Sequence, residues 1–261
     1  MTMMFEIEKS IARNARKTAL TMVHRAQTAH IGSSLSLIDI AVQLFLQSTK
    51  NGNDVVLVSK GHAAAGVYAV LNNLNLVPDE WISNYCKNGS KLGGHVTSTN
   101  LPFLELSTGS LGHALPYGVG RAIGKTRTGQ EGHVYVVLSD GECDEGSNWE
   151  AVLIAPQLKL KNLTVIIDRN RLQSLGGTEE TVPLEPLASK WEAFNWEVFE
   201  INGHDFMDLA KITQHIDQSK PRVYIAETIK GKGVSFMENS VLWHYRPPNV
   251  TELSEAMKES G

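Results

Sequence analysis

A chain of 261 residues, 42% hydrophobic and 20% charged, is long enough for one large α/β domain with a full core. Its net charge of −4 argues against a broad nucleic-acid footprint or an anionic-membrane surface, and no apolar run reaches the length of a membrane span. The N-terminus, MTMMFEIEKSIARNARK, has no signal-peptide core, and the two cysteines, Cys86 and Cys143, lie far apart without zinc-type neighbours; a disulfide framework is excluded and a cytoplasmic location expected.

Residues Glu6 to Thr28 carry helical periodicity, with Ile7, Ile11, Ala15, Ala19, Met22 and Val23 on one face. Gly32-Ser33-Ser34 predicts a break, and Leu37 to Leu46 a second amphipathic helix capped by Ser36. Asp54 to Val58 reads as a short buried strand ending in Ser59-Lys60-Gly61-His62. Helices are predicted over Ala63 to Leu74 and Pro78 to Cys86, then a Gly-, Ser- and Thr-rich loop from Gly89 to Asn100. Gly112 to Arg127 reads as a helix whose glycines, Gly118, Gly120 and Gly124, have GxGxxxG spacing and no preceding strand. That favours close helix packing over a dinucleotide-binding turn.

His133 to Leu138 and Leu163 to Ile167 are apolar runs with a helix-like segment between them. A helix over Leu184 to Phe194, a strand over Trp196 to Ile201, a helix over Phe206 to Ile216 and a strand over Arg222 to Thr228 complete the alternation. The segment IKGKGVSFMENSVLWHYRPPNV lacks periodicity and reads as loop. The pattern predicts a parallel β-sheet flanked by helices on both faces, in a single domain over 1–261.

Chemistry concentrates where the two apolar runs end. One stops at Asp140-Gly141 and the next at Asp168-Arg169-Asn170. Neighbouring parallel strands would present Asp140 and Asn170 at the same sheet edge, the carboxyl end, where open α/β sheets bind ligands. One carboxylate and one amide oxygen suit Mg²⁺, which keeps phosphate oxygens among its ligands. Gly141 lets the backbone approach an anion, and the helix from Ser147 onward would offer its first amides to that anion. Asp140 alone would read as a turn or helix cap.

Four of the nine histidines, His30, His62, His95 and His244, sit in Gly- or Ser-rich loops, where imidazoles can exchange protons near neutral pH. His24, His133 and His215 read as structural or exposed, and His113 and His204 have no evident role. Cys143, in the motif loop, reads as a small buried side chain rather than a reactive thiol.

The stretch from Ser139 to Gly177 resembles the thiamine diphosphate motif, and the chain to about Pro248 is similar to the N-terminal, diphosphate-binding domain of transketolases. Motifs agree in order: His30 with Gly32, Lys60-Gly61-His62, Thr108 to Gly112, Asp140 to Leu172, and more weakly IKGKG leading to His244. The resemblance implies that Asp140, Asn170 and the Leu172 backbone carbonyl hold Mg²⁺. His62, His244, Gly109, Ser110, Leu111, Gly141, Asp140 and Asn170 would contact thiamine diphosphate. His30, His95 and His244 would face the ketose donor as catalytic groups, and Glu145 would lie at a subunit boundary.

Two positions depart from the family pattern: Ser139 replaces the usual Gly, and Ser110 a frequent Pro. Nothing here resembles the family's pyrimidine-binding domain. The resemblance therefore implies a split transketolase, in which a C-terminal partner subunit carries the remaining domains and each chain is present twice. It would move a two-carbon ketol unit from a ketose, phosphorylated or otherwise modified, to an aldose. A deoxyxylulose phosphate synthase, a 2-oxoacid dehydrogenase component or a non-catalytic cofactor-binding relative are the alternatives.

Overall fold

The computed structural model describes residues 5–98, 101–214 and 219–260. Two 21-residue helices, α1 (Glu6–Ala26) and α2 (Ile31–Asn51), open the chain. β1 (Val55–Val58), α3 (Ala64–Asn73) and the short α4 (Asp79–Ser83) follow, and a long loop leads to α5 (Ala114–Thr128). Then come β2 (Val134–Ser139), α6 (Gly146–Gln157), β3 (Leu163–Arg169), a single turn α7 (Thr178–Thr181) and α8 (Leu187–Ala193). β4 (Glu197–Asn202), the short α9 (Phe206–Leu209), β5 (Arg222–Glu227) and α10 (Val250–Glu259) close the described chain.

The five strands form one parallel sheet in the order β1-β2-β3-β5-β4. Side chains alternate between its faces, as a period of two requires. Val56, Val58, Tyr135, Val137, Ile166 and Tyr224 pack beneath α1, α2 and α3. Val55, Leu57, Val136, Leu138, Val165 and Ile225 pack beneath α5, α6 and α8. Both faces are thus covered, which is why β1, β2 and β3 are buried along their whole lengths and show no alternation of exposed residues. β4 is an edge, and its outer Glu197 and Glu200 are exposed charges that discourage pairing with another chain.

The main departure from the sequence pattern is at α2. It starts at Ile31 and runs through Gly32-Ser33-Ser34 rather than beginning at Leu37. The small residues admit close neighbours. A Cβ on Gly32 would lie 3.2 Å from Lys230 Cγ, and Ser34 carbonyl lies 2.7 Å from where a Gly66 Cβ would be. Ser36 is therefore no cap; it lies inside the helix and donates to Asp168 at 2.8 Å. Extended this far, α2 is long and apolar enough to cross a membrane, contrary to the sequence count, but 83% of its most apolar window is buried as core.

The helix expected over Phe206 to Ile216 is α9 plus a 3₁₀ turn over Ala210–Thr213, and positions 215 and 216, His215 included, lie outside the described residues. Thr99 and Asn100 of the predicted loop do so as well. α10 follows the segment read as loop; its capping box, Asn249 with Glu252, was present in the sequence.

Candidate active site

The carboxyl ends of β1, β2 and β3 open into a cleft of about 280 Å³, closed on its other side by the segments carrying Lys230 and His244. Asp140 follows the last residue of β2. Its Oδ1 accepts the Gly141 N–H at 2.8 Å, and its Oδ2 accepts the Arg171 N–H at 2.5 Å and Arg169 Nη1 at 3.4 Å. Arg171 sits at φ 65°, a left-handed turn that brings the loop after β3 against Asp140. Asn170, Leu172 and Asp140 consequently line the same cleft. Burial and the neighbouring Asp168 charge push the Asp140 carboxyl up, the setting in which a bound cation restores the charged form.

A buried polar layer supports this edge. Asp168 accepts from Lys60 at 2.5 Å, from Ser36, and from Thr228, and its Oδ1 meets the Asn170 amide at 3.5 Å. Burial works against the Asp168 charge, but the Lys60 ammonium outweighs it and holds the carboxyl below its ordinary value. Arg169, fully buried, reaches Thr178, Glu179 and Glu185 and fixes the chain beyond Asn170. On the β1 side, a Cβ on Gly61 would sit 2.4 Å from the Thr108 carbonyl, so only glycine lets the His62 turn and the Thr108–Gly112 loop meet.

The four loop histidines converge. The His30 ring lies 5.4 Å from His62, 5.7 Å from His95 and 4.9 Å from His244, and His62 lies 5.9 Å from His244. His30 has φ 72°, and its N–H donates to the His244 carbonyl at 2.7 Å, which locks two distant segments together. Burial, then the charges of His95 and Lys230, lower His30 to about 4. Burial and Lys230 lower His244 to about 3, and burial with Lys60 takes His62 well below 6.5. These three imidazoles are neutral at pH 7, so each can accept a proton.

Lys230 is the group that sequence reading missed. Its ammonium donates to the carbonyls of Leu172 at 3.1 Å and Gln173 at 3.2 Å and contacts His244 Nδ1 at 2.9 Å. Burial and the Lys60 charge lower it to about 8. The only signal was two lysines in the Gly-rich IKGKG segment. The carbonyl of Leu172 thus already faces a cation. An Asp oxygen, an Asn oxygen and a backbone carbonyl in one cleft form a hard-oxygen set suited to Mg²⁺.

Most nominated residues meet here: His30, His62, His95, His244, Gly109, Leu111, Asp140, Gly141, Asn170 and Leu172 line the cleft, and Ser139 joins them. Ser110 is exposed on the same loop and is not among the lining residues. Glu145 lies exposed outside the cleft, at the start of α6. Ser147 is not among the lining residues either; its Oγ donates to the Gly112 carbonyl at 2.7 Å, and a 3₁₀ turn over Gly141–Asp144 separates β2 from the start of α6. Cys143 is buried, which pushes its thiol far up and leaves it inert. His133 is buried against Thr164 and is structural.

A second cavity, about 340 Å³, is walled by Arg16, Asp39 and His204. Asp39 accepts from Arg16 and from His204 Nδ1, while His204 Nε2 accepts the Ile229 N–H at 2.9 Å. These groups tie α1, α2 and the strand ends together, which gives His204 a structural role.

Comparison with known proteins matches the sequence and the fold to a known family. Residues 7–261 fit the family described as transketolase, thiamine diphosphate binding domain. The chain is 38% identical to a subunit of the apulose-4-phosphate transketolase of Actinobacillus succinogenes, over 97% of this chain and 95% of that protein. It is 32% identical to the 6-deoxy-6-sulfo-D-fructose transketolase subunit SqwG of a Clostridium species, over 88% and 87%. The crystal structure of Campylobacter jejuni transketolase superposes with a TM-score of 0.89 at 28% identity, covering 98% of this chain but only 43% of that one. With the family model, the sequence relatives and the fold in agreement, the chain belongs to the transketolase family.

Proposed function

We propose that this chain is the diphosphate-binding subunit of a two-subunit transketolase, transferring a two-carbon ketol unit from a ketose or ketose phosphate to an aldose. The observation that carries the reading is the meeting of four histidines with Asp140, Asn170 and the Leu172 carbonyl in one cleft. Thiamine diphosphate, when bound, supplies the nucleophilic carbon and the electron sink for breaking a carbon–carbon bond.

The protein's own residues hold, orient and move protons. Asp140, Asn170 and the Leu172 carbonyl would hold Mg²⁺. His62 and Lys230 would meet diphosphate oxygens, Gly109 and Gly141 would leave the cofactor room where a side chain would intrude, and Leu111 would lie against it as an apolar wall. Ser110, on the rim of that loop, would reach the cofactor only from the side. His30 and His244, neutral at pH 7, would take protons from donor hydroxyls, with His95 at the exposed edge returning them.

Two relatives whose length this chain nearly spans are named as transketolase subunits, which supports a partner carrying the remaining domains. Glu145, exposed beside the cleft, is the residue we assign to that boundary. The test is a coupled assay of ketol transfer by the purified chain, alone and mixed with the C-terminal subunit, with thiamine diphosphate and Mg²⁺. Turnover only in the mixture supports the reading; robust turnover by the chain alone, or none in the mixture, rejects it.

A further inference from the structure

Tyr245 lines the cleft but is not among the residues assigned above to the cofactor or the metal. Its ring lies 4.7 Å from His244 at 65° and 6.2 Å from His30 at 53°. It is 58% exposed, and its hydroxyl makes no hydrogen bond among the described residues. An aromatic ring left this open beside neutral imidazoles is apolar area awaiting a cover, with a free donor and acceptor at its tip.

The mount is rigid. Tyr245 follows a 3₁₀ turn over Val241–His244 that is pinned by the His30 N–H on the His244 carbonyl and by Trp243 Nε1 on the Phe236 carbonyl at 3.0 Å. On its other side Arg246 stacks 4.9 Å from the Trp243 ring and pairs with Glu252 of α10. The lysine of the lining, Lys230, contacts Leu172, Gln173 and His244 and is assigned above to the diphosphate. What the Tyr245 side presents to a ligand is therefore uncharged: a phenol, and the Ser174 hydroxyl, which is also unbonded among the described residues.

We infer that Tyr245 is a specificity-determining residue that reads a hydroxyl of the ketose donor beyond the two transferred carbons, its ring walling that side of the cleft. The inference rests on the two-carbon transfer reading above. The recognised group is an uncharged polyol hydroxyl, so an acidic group on the donor must be held elsewhere.

The test uses the chain assembled with its partner subunit and compares two donors. D-Xylulose 5-phosphate carries hydroxyls beyond the transferred unit; hydroxypyruvate supplies the same unit with none. Y245F removes the hydroxyl and keeps the ring. It should lower kcat/KM on the ketose phosphate about 5- to 10-fold, the size of one partly exposed hydrogen bond, and leave hydroxypyruvate within about twofold. Y245G should lose more on the ketose phosphate, and thiamine diphosphate affinity should hold in both variants. Equal losses on the two donors would mean that Tyr245 merely supports His244, and no loss on either would mean that it touches no substrate; both results overturn the inference. Wild-type complex inactive on both donors would overturn the transfer reading itself, and this inference with it.

Discussion

Substitution can separate the observed contacts of Asp140 from the cation-holding role proposed for it. Its oxygens brace the Gly141 and Arg171 amides, and its charge suits a cation. D140N retains the shape and removes the charge. It is expected to weaken thiamine diphosphate binding in Mg²⁺ by roughly 100-fold or more, the upper end of the loss from removing a partner of a metal ligand, with an unchanged circular dichroism spectrum. Calorimetric titration measures it, and unaltered affinity would disprove the role. The histidines make a second prediction. His30 at about 4 and His244 at about 3 stand below the ordinary 6.5. Between those values the unfolded chain binds more protons than the folded one, so stability falls as pH falls through that window. Thermal melts from about pH 7.5 to about pH 4.5 should decline, and H30Q should flatten the decline; identical slopes would refute the shift.

Among elements, α5 offers a contrast between glycines two residues apart. A Cβ on Gly118 would lie 2.6 Å from Val136 Cγ2 on β2, whereas Gly120 faces open space. G118A is expected to destabilise by about 1–3 kcal/mol through overpacking against the sheet. G120A should stabilise by about 0.5–1 kcal/mol by restricting the unfolded chain. Urea denaturation distinguishes them, and equal effects would contradict the packing. The pair also bears on legibility. Close packing of that helix was readable from GxGxxxG, but which glycine makes the contact depends on the face that α5 turns to β2. Strand ends were harder. β3 continues through Asp168 and Arg169, charges that look like a terminus until Lys60, Glu179 and Glu185 are seen to neutralise them. For the same reason Gly32-Ser33-Ser34 looked like a break: its helical state comes from close neighbours on the Lys230 and α3 segments, which are distant in sequence.

At the scale of the whole molecule, alternation of strands and helices was enough to foresee the parallel sheet with both faces covered. It could not foresee that β5 inserts between β3 and β4, because the apolar patterns of strands buried on both faces are interchangeable. The site was legible to the degree that its groups come from loops at one sheet edge: Asp140, Asn170 and the four histidines. Lys230 and Tyr245 were not, since each acquires meaning only when the segment after β5 folds back over the cleft. α10 reaches that segment through Glu252, which pairs with Arg246. E252Q is accordingly expected to loosen the His244 segment and raise the KM for donor several-fold; an unchanged KM would separate α10 from the site.

The most direct measurement is a crystal structure of the assembled enzyme grown with thiamine diphosphate and Mn²⁺ in place of Mg²⁺, read from the metal's anomalous scattering. An anomalous peak bonded to Asp140, Asn170 and the Leu172 carbonyl, with diphosphate oxygens completing its shell, is the predicted result. A peak elsewhere, or a cofactor bound away from those three groups, would contradict it.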